Sequence, residues 1–409
     1  MNTIKQGTWH SWSPPAVGQE GHEEAKKNIL ACDRIVLTPM GWEALNILPV
    51  EVKAQNPDAR RYLLVDADVY PDWDPENGGQ MPIPHWEIVE HDLWLEDENE
   101  GGVFETPQIS FLDPGKEHYK ELWMAWLQHQ IASLPGLDGV AVDYLTPDLR
   151  SGVLGRAVAG RAILGYPTGL DWWEKAWKPF LDFIVPSIKA MGLTVIGNNA
   201  GEPDERPESA LTESEKRRQY QRSLFDGRVM ENFALDYPDS YTGIIGFRPP
   251  AELARQIARG SKDPMAIWYA SLLKAQDPTY PQKLNYLIAA YLMALPMPAP
   301  VIMSFSDPGN TAIDVRMLPP PYRALSIYGN GMYPVEPLLE LDLGLPIEEP
   351  VQLPKGFWVR RFKEGIVALN ASNKDCFLSL KTGYRDTGGV MVFAEQTVPP
   401  NTGLILRKE

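Results

Sequence analysis

Short apolar runs alternate with amphipathic segments along about the first 330 residues of the chain. Runs such as Leu63–Val65, Val140–Val142 and Thr194–Gly197 have the length and composition of buried strands. Between the runs, apolar residues recur every three or four positions, which predicts helices; the clearest follows a predicted cap at Asp113-Pro114 and buries its tryptophans. Eight strands, each followed by helix-compatible sequence, indicate a parallel sheet covered on both faces.

Eight strand–helix units predict an α/β fold of the (β/α)8 TIM-barrel type, which typically needs about 250 residues and more with insertions. The competing architecture is an open, doubly wound sheet. No glycine-rich phosphate-binding loop follows any of the predicted strands, and that loop is the main reason to prefer the open sheet. We therefore predict the barrel, interrupted by an acidic, Pro- and Gly-rich excursion at about 72–108.

The pattern changes at about Tyr333, where short alternating runs such as FWVRRF and VMVFAE replace the strand–helix units. Runs of this kind, separated by Gly, Pro, Asn and Asp, are typical of a small antiparallel β-sandwich. We predict a barrel domain over residues 1–332, which would carry the catalytic site, and an accessory sandwich over 333–409. The Pro-rich junction is too stiff and apolar for a flexible linker. We expect its leucines to be buried against the barrel: Leu338, Leu339, Leu341 and Leu343.

Charge and composition limit the partners. The 409 residues hold 38 Lys and Arg against 54 Asp and Glu, a formal net charge of −16, with 13 Trp and 16 Tyr. A net negative charge of this size repels polyanions, so we expect no nucleic acid and no anionic membrane as partner. The apolar stretch Leu284–Met303 contains three prolines and predicts a helix, a turn and a strand, not a membrane span. Cys32 and Cys376 are too few for a disulfide framework or a structural zinc site.

The N-terminal segment MNTIKQGTWHSW lacks the charged-then-apolar pattern of a signal peptide. From this we expect a protein that is cytoplasmic or associated with a phage particle, not one exported through a signal peptide. The oligomeric state is not indicated by any pattern in the sequence.

Candidate chemistry lies at the strand ends, because a TIM barrel places its site at the C-terminal ends of its strands. A metal-dependent hydrolase would need several strand-end histidines and a Schiff-base aldolase a strand-end lysine; the chain has one such histidine and no such lysine. No GxSxG, Walker or HExxH motif occurs. Carboxylates, amides and aromatic rings remain, which is the set that binds and cleaves sugars. We predict a carbohydrate substrate, no metal and no cofactor.

Asp143 and Glu231 form the sharpest pair, since each directly follows a short apolar strand. An acidic side chain there costs free energy unless it is solvated in a cleft or hydrogen-bonded. Two strands apart in barrel order, the carboxyl groups would be roughly 5–9 Å apart, the range that glycosidases use. The alternative is that both residues are caps or salt-bridge partners.

Other strand-end residues are predicted to bind the substrate: His10, Asp66, Asp68, Asn198, Trp268, Tyr269 and Asp307. Asp66 and Asp68 have the period-two spacing that places both on one side of a strand end, with the holding of the next loop as the alternative. Asn198 either bonds a substrate hydroxyl or turns the chain. His10, between two tryptophans, is either part of a sugar subsite or a packed structural histidine.

Four segments resemble bacterial barrel glycosidases, namely the endo-α-1,4-polygalactosaminidase-like proteins and related families known mainly from sequence. The segments are GLDGVAVDY, ISFLDPGKEHYKELWMAWL, GLTVIGNNAG and DGRVMENF, in the order and on the strands that those families use. The resemblance covers about Gln6 to Asn330, and the tail is similar to the accessory domain that follows. It implies that Asp143 is the catalytic aspartate and Glu231 the acid; Tyr144 stands where many relatives have a smaller or polar residue.

Two hypotheses follow. In the first, the protein is a glycoside hydrolase that cleaves an oligo- or polysaccharide by a two-carboxylate, retaining mechanism. In the second, it is a non-catalytic carbohydrate-binding or structural protein, for instance of a phage particle, on the same scaffold. An intact carboxylate pair favours the first, and a blocked cleft would favour the second.

Overall fold

Strands and helices alternate along the computed structural model. It describes residues 6–10, 16–19, 22–30, 32–57, 59–71, 81–99, 101–106, 109–149, 152–198, 200, 206–231, 233–238, 245–262, 266–272, 279–295, 301–303, 315–317, 323–328, 343–353 and 356–409. The chain divides into two units, each described by itself below. The mid-chain unit comprises residues 11–13 and 36–228, and the terminal unit comprises residues 1–10, 14–35 and 229–409.

The elements of the described ranges are numbered in chain order. The strands are β1 (Gln6–His10), β2 (Cys32–Leu37), β3 (Arg60–Asp66), β4 (Val69–Pro71), β5 (Phe104–Thr106), β6 (Ile109–Phe111), β7 (Gly139–Asp143), β8 (Thr194–Asn198), β9 (Gly227–Glu231), β10 (Leu235–Pro238), β11 (Ile245–Phe247), β12 (Ala266–Leu272), β13 (Val301–Met303), β14 (Val315–Met317), β15 (Arg323–Tyr328), β16 (Val351–Leu353), β17 (Phe357–Phe362), β18 (Gly365–Asn370), β19 (Cys376–Ser379), β20 (Tyr384–Arg385), β21 (Met391–Val392), β22 (Glu395–Val398) and β23 (Thr402–Lys408). The α-helices are α1 (His22–Leu30), α2 (Pro39–Leu45), α3 (Pro49–Gln55), α4 (His85–Glu90), α5 (Tyr119–Ser133), α6 (Gly152–Ala157), α7 (Gly169–Trp172), α8 (Lys178–Ala190), α9 (Glu213–Leu224), α10 (Pro250–Lys262) and α11 (Tyr280–Met293). A π-helical turn (Trp173–Trp177) joins α7 to α8, and a 3₁₀ turn spans Glu208–Ala210.

Parallel strands form the centre of the mid-chain unit. β3 pairs with β7 and β7 with β8, both in parallel. After the exposed Arg60, every residue of β3 is buried, and the apolar runs of β7 and β8 are buried as well. Continuous burial of this kind explains why these strands carry uninterrupted apolar runs, whereas a strand with one solvent-exposed face alternates.

The register of β3 and β7 is held by Asp138, just before β7. Its Oδ2 accepts hydrogen bonds from the backbone N–H of Arg61 at 2.9 Å and from the Nε of the same arginine at 2.8 Å. Arg61 is almost fully buried, so its charge needs this carboxylate partner. Counting from this anchor, Asp66 and Asp143 meet as ladder partners at the other end of the strands.

Helices α5 and α8 pack against each other in the same unit. Trp123 of α5 contacts Phe180 of α8 edge-to-face at 5.5 Å, and Trp177 is fully buried beside it. The predicted burial of the α5 tryptophans is confirmed for Trp123, whereas Trp126 is half-buried. The predicted cap of α5 at Asp113 is wrong, because the helix begins at Tyr119 and the Asp113 carboxylate is bonded to Gly115 and Tyr166 instead.

Antiparallel sheets form the C-terminal part of the terminal unit. A six-stranded sheet has the order β16-β17-β18-β23-β20-β21, and β19 pairs with β22 in a second sheet. Side chains of β18 alternate between two buried clusters: Val367 and Leu369 join helix α11, whereas Ile366 and Ala368 join residues of β19 and β22. The period-two pattern in the sequence therefore produces two apolar faces, one for a helix and one for a sheet.

Helix α11 packs closely on this six-stranded sheet. Gly403 of β23 lies so near the helix that an added Cβ would overlap the carbonyl oxygen of Asn285 and the side chain of Ala289. At the end of α11, the buried Arg360 of β17 donates from Nη1 to the carbonyl oxygens of three residues at distances of 2.7–3.1 Å: Leu292, Met293 and Leu295. Burial lowers the pKa of Arg360 to about 10.

The chain is thus an α/β protein with parallel strand pairs, including β12 with β15 in the terminal unit, and antiparallel sheets near its C-terminus, as predicted. Leu343 is buried in the cluster around α11, and the other three junction leucines lie outside the described residues. The domain boundary at 332/333 stays a prediction. None of the helices in the described ranges has the length and apolar character needed to span a membrane.

Candidate active site

Three polar side chains end neighbouring strands of the mid-chain unit: Asp66 on β3, Asp143 on β7 and Asn198 on β8. Asp66 and Asp143 are partners in the parallel ladder, and Val142 is the partner of Gly197, which puts Asn198 beside Asp143. The structure therefore brings three of the predicted site residues together at the C-terminal edge of the parallel strands.

The carboxylate of Asp143 is held through one of its two oxygens. Asn198 Nδ2 donates to Oδ1 at 2.7 Å, and the backbone N–H of Tyr144 donates to the same oxygen at 2.6 Å. Both hydrogen bonds that the described residues make to this carboxylate end on Oδ1, and Asp143 is half-buried. This arrangement fixes the orientation of the carboxylate and leaves Oδ2 as the oxygen that a ligand would meet.

The surroundings of Asp143 act on its pKa in opposite directions. Burial raises the pKa of Asp143, because the charged form is poorly solvated, while the hydrogen bonds from Asn198 and from the Tyr144 N–H lower it. Burial is the larger of the effects, so the net shift is upward. A carboxylate with a raised pKa is both a stronger base and a better nucleophile than an exposed one.

Two further features are typical of a functional site. Tyr144 has φ 50°, in the left-handed region that costs a non-glycine residue roughly 1–2 kcal/mol. Asn198 Oδ1 is buried and accepts no hydrogen bond from any described residue. Strained backbone and unmade buried hydrogen bonds both reduce stability, and both concentrate at catalytic and ligand-binding positions.

Asp66 and Asp68 lie in a tightly bonded corner. Asp68 is fully buried, and the Thr146 hydroxyl donates to its Oδ2. Trp123 Nε1 donates to the carbonyl oxygen of Asp66 at 3.0 Å, and the Tyr119 hydroxyl donates to that of Ala67 at 2.5 Å. Asp68 thereby ties the end of β3 to the loop after β7. The two roles predicted for Asp66 and Asp68, sugar binding or holding of the loop that follows them, stay predictions. Burial first, and then the charges of the nearby aspartates, raise the pKa of Tyr119.

For four of the remaining predicted residues the structure gives the position of the backbone, and the fifth lies outside the described residues. Glu231 is the last residue of β9 and His10 the last of β1, and Trp268 and Tyr269 lie within β12. Asp307 lies outside the described residues. The roles predicted for these five residues stay predictions.

Thr146 and Tyr119 belong to the site but were not expected from the sequence. Thr146 is three residues beyond Asp143, and its carbonyl oxygen accepts a hydrogen bond from Trp172 Nε1 at 2.8 Å. Tyr119 is the first residue of α5. Thr146 could have been found as the polar residue in the short loop after a catalytic strand, whereas Tyr119 reads as an ordinary apolar position of a helix.

We expect Asp143→Asn to raise the melting temperature at pH 8. With its raised pKa, the native Asp143 holds a proton in a pH range where the unfolded chain has lost it, so wild-type stability falls as the pH rises through that range. Asparagine does not titrate, and its Oδ1 can still accept both hydrogen bonds. The gain over wild type should shrink as the pH falls towards about 4, the ordinary carboxyl pKa. Scanning calorimetry between these pH values measures it; a lower melting temperature at pH 8 would mean that Asp143 is a structural cap.

Comparisons with known proteins give no family. No protein-family model matches the chain, and no curated protein matches it. Among solved structures, the chain is similar to a noncanonic maltogenic α-amylase from Thermotoga neapolitana, with 11% identity and a TM-score of 0.46 over 99% of this chain and 98% of that one. It is also similar to a GH36 α-galactosidase from Geobacillus stearothermophilus (11% identity, TM-score 0.36, 98% of this chain and 54% of that one). A third similar structure is the pullulanase of Bacillus acidopullulyticus, with 9% identity and a TM-score of 0.42 over 90% of this chain and 48% of that one. The chain therefore spans about half the length of the α-galactosidase and of the pullulanase.

Proposed function

We propose that this protein is a glycoside hydrolase that cleaves an oligo- or polysaccharide by a two-carboxylate, retaining mechanism. The observation that carries the proposal is the Asp143 carboxylate, which is oriented through Oδ1 by Asn198 and the Tyr144 N–H beside Asp66. In this proposal the parallel strands close into a (β/α)8 barrel over residues 1–332, and the C-terminal sheets form a β-sandwich over 333–409. The polysaccharidase families that the sequence resembles set the expected substrate class.

In the first step, Oδ2 of Asp143 attacks the anomeric carbon as the bond to the leaving oxygen breaks. Glu231 donates its proton to that oxygen, which leaves as a hydroxyl, and a glycosyl ester forms on Asp143. In the second step, the Glu231 carboxylate takes a proton from water, the water oxygen attacks the anomeric carbon, and the ester bond breaks. Two inversions return the original configuration, and Asp143 and Glu231 regain their starting protonation states.

The neighbours of Asp143 assist different parts of this cycle. The hydrogen bonds to Oδ1 stabilise the negative charge that returns to the carboxylate when the ester breaks. Burial keeps the carboxylate reactive by raising its pKa. Asp66 is proposed to accept hydrogen bonds from sugar hydroxyls, and Asp68 to act through Thr146 on the shape of the loop after β7. His10, Trp268, Tyr269 and Asp307 are proposed to complete the sugar-binding surface, and the reaction requires neither metal nor cofactor.

A panel of soluble polysaccharides, screened for new reducing ends, tests the proposal. The panel should contain neutral α- and β-linked glucans and galactans and a polygalactosamine. We expect at least one to be cleaved by the wild-type protein and not by Asp143→Asn at equal concentration. Proton NMR of the first product shows whether the anomeric configuration is retained. Absence of cleavage throughout the panel, together with saturable binding to one of its polysaccharides, would support the non-catalytic carbohydrate-binding protein instead.

A further inference from the structure

Two long loops of the mid-chain unit are joined to each other beyond the ends of their strands. One includes residues 94–98, after α4 on the connection from β3 to α5; the other includes residues 161–166, after α6 on the connection from β7 to α7. The N–H of Leu164 donates to the carbonyl of Glu96 at 3.0 Å, and the N–H of Glu98 to that of Ala162 at 2.9 Å. Arg161 lies 3.6 Å from Asp97 and so adds an ion pair. Because β3 ends in Asp66 and β7 in Asp143, the joined loops extend the same edge of the sheet as the candidate active site.

A cavity of about 330 Å³ lies where these loops meet the start of α5 and the π-helical turn. Its volume is at the small end of the range for ligand pockets. Since a water molecule takes about 30 Å³ of liquid, the cavity has room for a ligand of roughly ten non-hydrogen atoms, which is the size of one hexose ring. Its lining residues differ from those that bond the Asp143 carboxylate.

The cavity is lined by a buried carboxylate, that of Asp113, which is only 6% exposed. The Tyr166 hydroxyl donates to Oδ1 at 2.6 Å, and the Gly115 N–H donates to the same oxygen at 2.8 Å. A side chain at position 115 would overlap the Tyr166 oxygen, so glycine is needed for this contact. As at Asp143, the described residues use one carboxylate oxygen and leave the other for a ligand.

The charges around the cavity balance. Lys116 and Lys175 oppose Asp113 and Glu96 in the lining. Lys116 Nζ lies 2.9 Å from Asp92, outside the lining, and 3.7 Å from Glu96. With two ammonium groups and two carboxylates, the lining has no net charge and therefore attracts neither cations nor anions overall. A neutral ligand with several hydroxyl groups, able both to donate and to accept, fits this set of partners.

We propose that this cavity binds one neutral hexopyranose unit, with Asp113 and Tyr166 as its hydrogen-bonding floor. It is a sugar subsite separate from the hydrolytic carboxylates, at the same edge of the sheet. The proposal rests on the proposed function in one respect, that the ligand is a unit of the carbohydrate that Asp143 would cleave. The ionised Asp113 would accept hydrogen bonds from the sugar hydroxyls, and Lys116 and Lys175 would donate to the sugar oxygens.

Binding of small glycosides, measured in full-length Asp143→Asn so that hydrolysis does not interfere, tests the proposal. The probes are methyl β-D-glucopyranoside and methyl α-D-galactopyranoside as neutral sugars, and glucuronate and glucosamine as charged ones, each titrated by saturation-transfer NMR. We expect at least one neutral glycoside to bind with a millimolar Kd. Adding Asp113→Asn or Tyr166→Phe should weaken that binding by about tenfold or more, because the first replaces a charged accepting oxygen with an amide NH2 group and the second removes a buried hydroxyl.

A second tyrosine–aspartate pair supplies the matched control. Tyr220 donates its hydroxyl to Asp182 at the surface of the same unit, so Tyr220→Phe and Asp182→Asn remove the same groups away from the cavity. In these control variants, the Kd of the neutral glycoside should stay within about twofold of its value in Asp143→Asn alone. Equal binding in the cavity and control variants, tighter binding of glucuronate or glucosamine, or no neutral binding up to about 50 mM would overturn the proposal. If sugar binding depends on Asp113 but the wild-type protein cleaves no polysaccharide of the panel, the subsite is upheld and the hydrolase function is overturned.

Discussion

Asp143→Asn should lower turnover of any polysaccharide that the wild-type protein cleaves by at least about a thousandfold, as expected when a nucleophile is lost. The amide keeps the hydrogen bonds from Asn198 and the Tyr144 N–H but cannot form the glycosyl ester. The loss should therefore fall on kcat, with little change in KM and no loss of stability. Initial rates from reducing-end detection, with a thermal melt of the same preparation, measure both quantities.

A substrate with a good leaving group distinguishes the role of Glu231 from that of Asp143. Glu231→Gln should also be slow on the natural substrate, but an aryl glycoside with a good leaving group should restore its first step, since such a group leaves without a proton. The same substrate should not rescue Asp143→Asn. Asp182→Asn is the control for an aspartate on the surface and should cleave at the wild-type rate. Rescue of the Asp143 variant alone would show that the two roles are reversed.

Arg360→Met is expected to lower the free energy of unfolding by about 3–5 kcal/mol, the loss expected for about two buried hydrogen bonds to a charged group. The guanidinium bonds three carbonyl oxygens at the end of α11 and a fourth, that of Glu348, from Nε at 2.9 Å. Methionine fills a similar volume but leaves these buried acceptors unbonded, at a cost of about 1–3 kcal/mol for each that water cannot reach. Urea unfolding followed by circular dichroism measures the change.

The neighbouring residue provides the control for Arg360. Arg361 is exposed and pairs with Glu348 at 3.2 Å, and exposed ion pairs contribute at most about 1 kcal/mol. Arg361→Met should therefore unfold at nearly the wild-type urea concentration. Should Arg360→Met be too unstable to purify, Arg360→Lys, which keeps the charge but loses the branched donors, should be intermediate. Equal stabilities of the variants at 360 and 361 would show that the helix end needs no cap.

The sequence was sufficient for features that depend on local pattern. The apolar runs of β3, β7 and β8 predicted parallel strands, and strand order along the chain predicted that the residues closing them would share one edge. Asp66, Asp143 and Asn198 do so, because successive parallel strands in this unit are spatial neighbours. The alternation in FWVRRF likewise predicted an antiparallel strand, which is β17.

Features that depend on distant contacts were not predictable. Asp113 reads as a helix cap because it precedes a proline, yet its carboxylate is bonded by Tyr166, more than fifty residues later in the chain. Arg360 is followed directly by a second arginine, Arg361, and nothing in the sequence tells which of the two is buried; only the position of α11 explains the burial of Arg360. The left-handed backbone of Tyr144 gives no signal either, since that conformation usually selects glycine or asparagine.

The position of β23 has a consequence for synthesis on the ribosome. This strand lies between β18 and β20 in the middle of the six-stranded sheet, although it is made after all the others. While residues 402–408 are still in the exit tunnel, β18 and β20 lack their common partner, and the apolar face of α11 lacks part of its cover. At about 5–20 residues per second, the interval in which that face is open to chaperones or to other nascent chains lasts seconds. Slow translation of the segment between β18 and β23 would prolong this exposure without changing any contact of the finished protein.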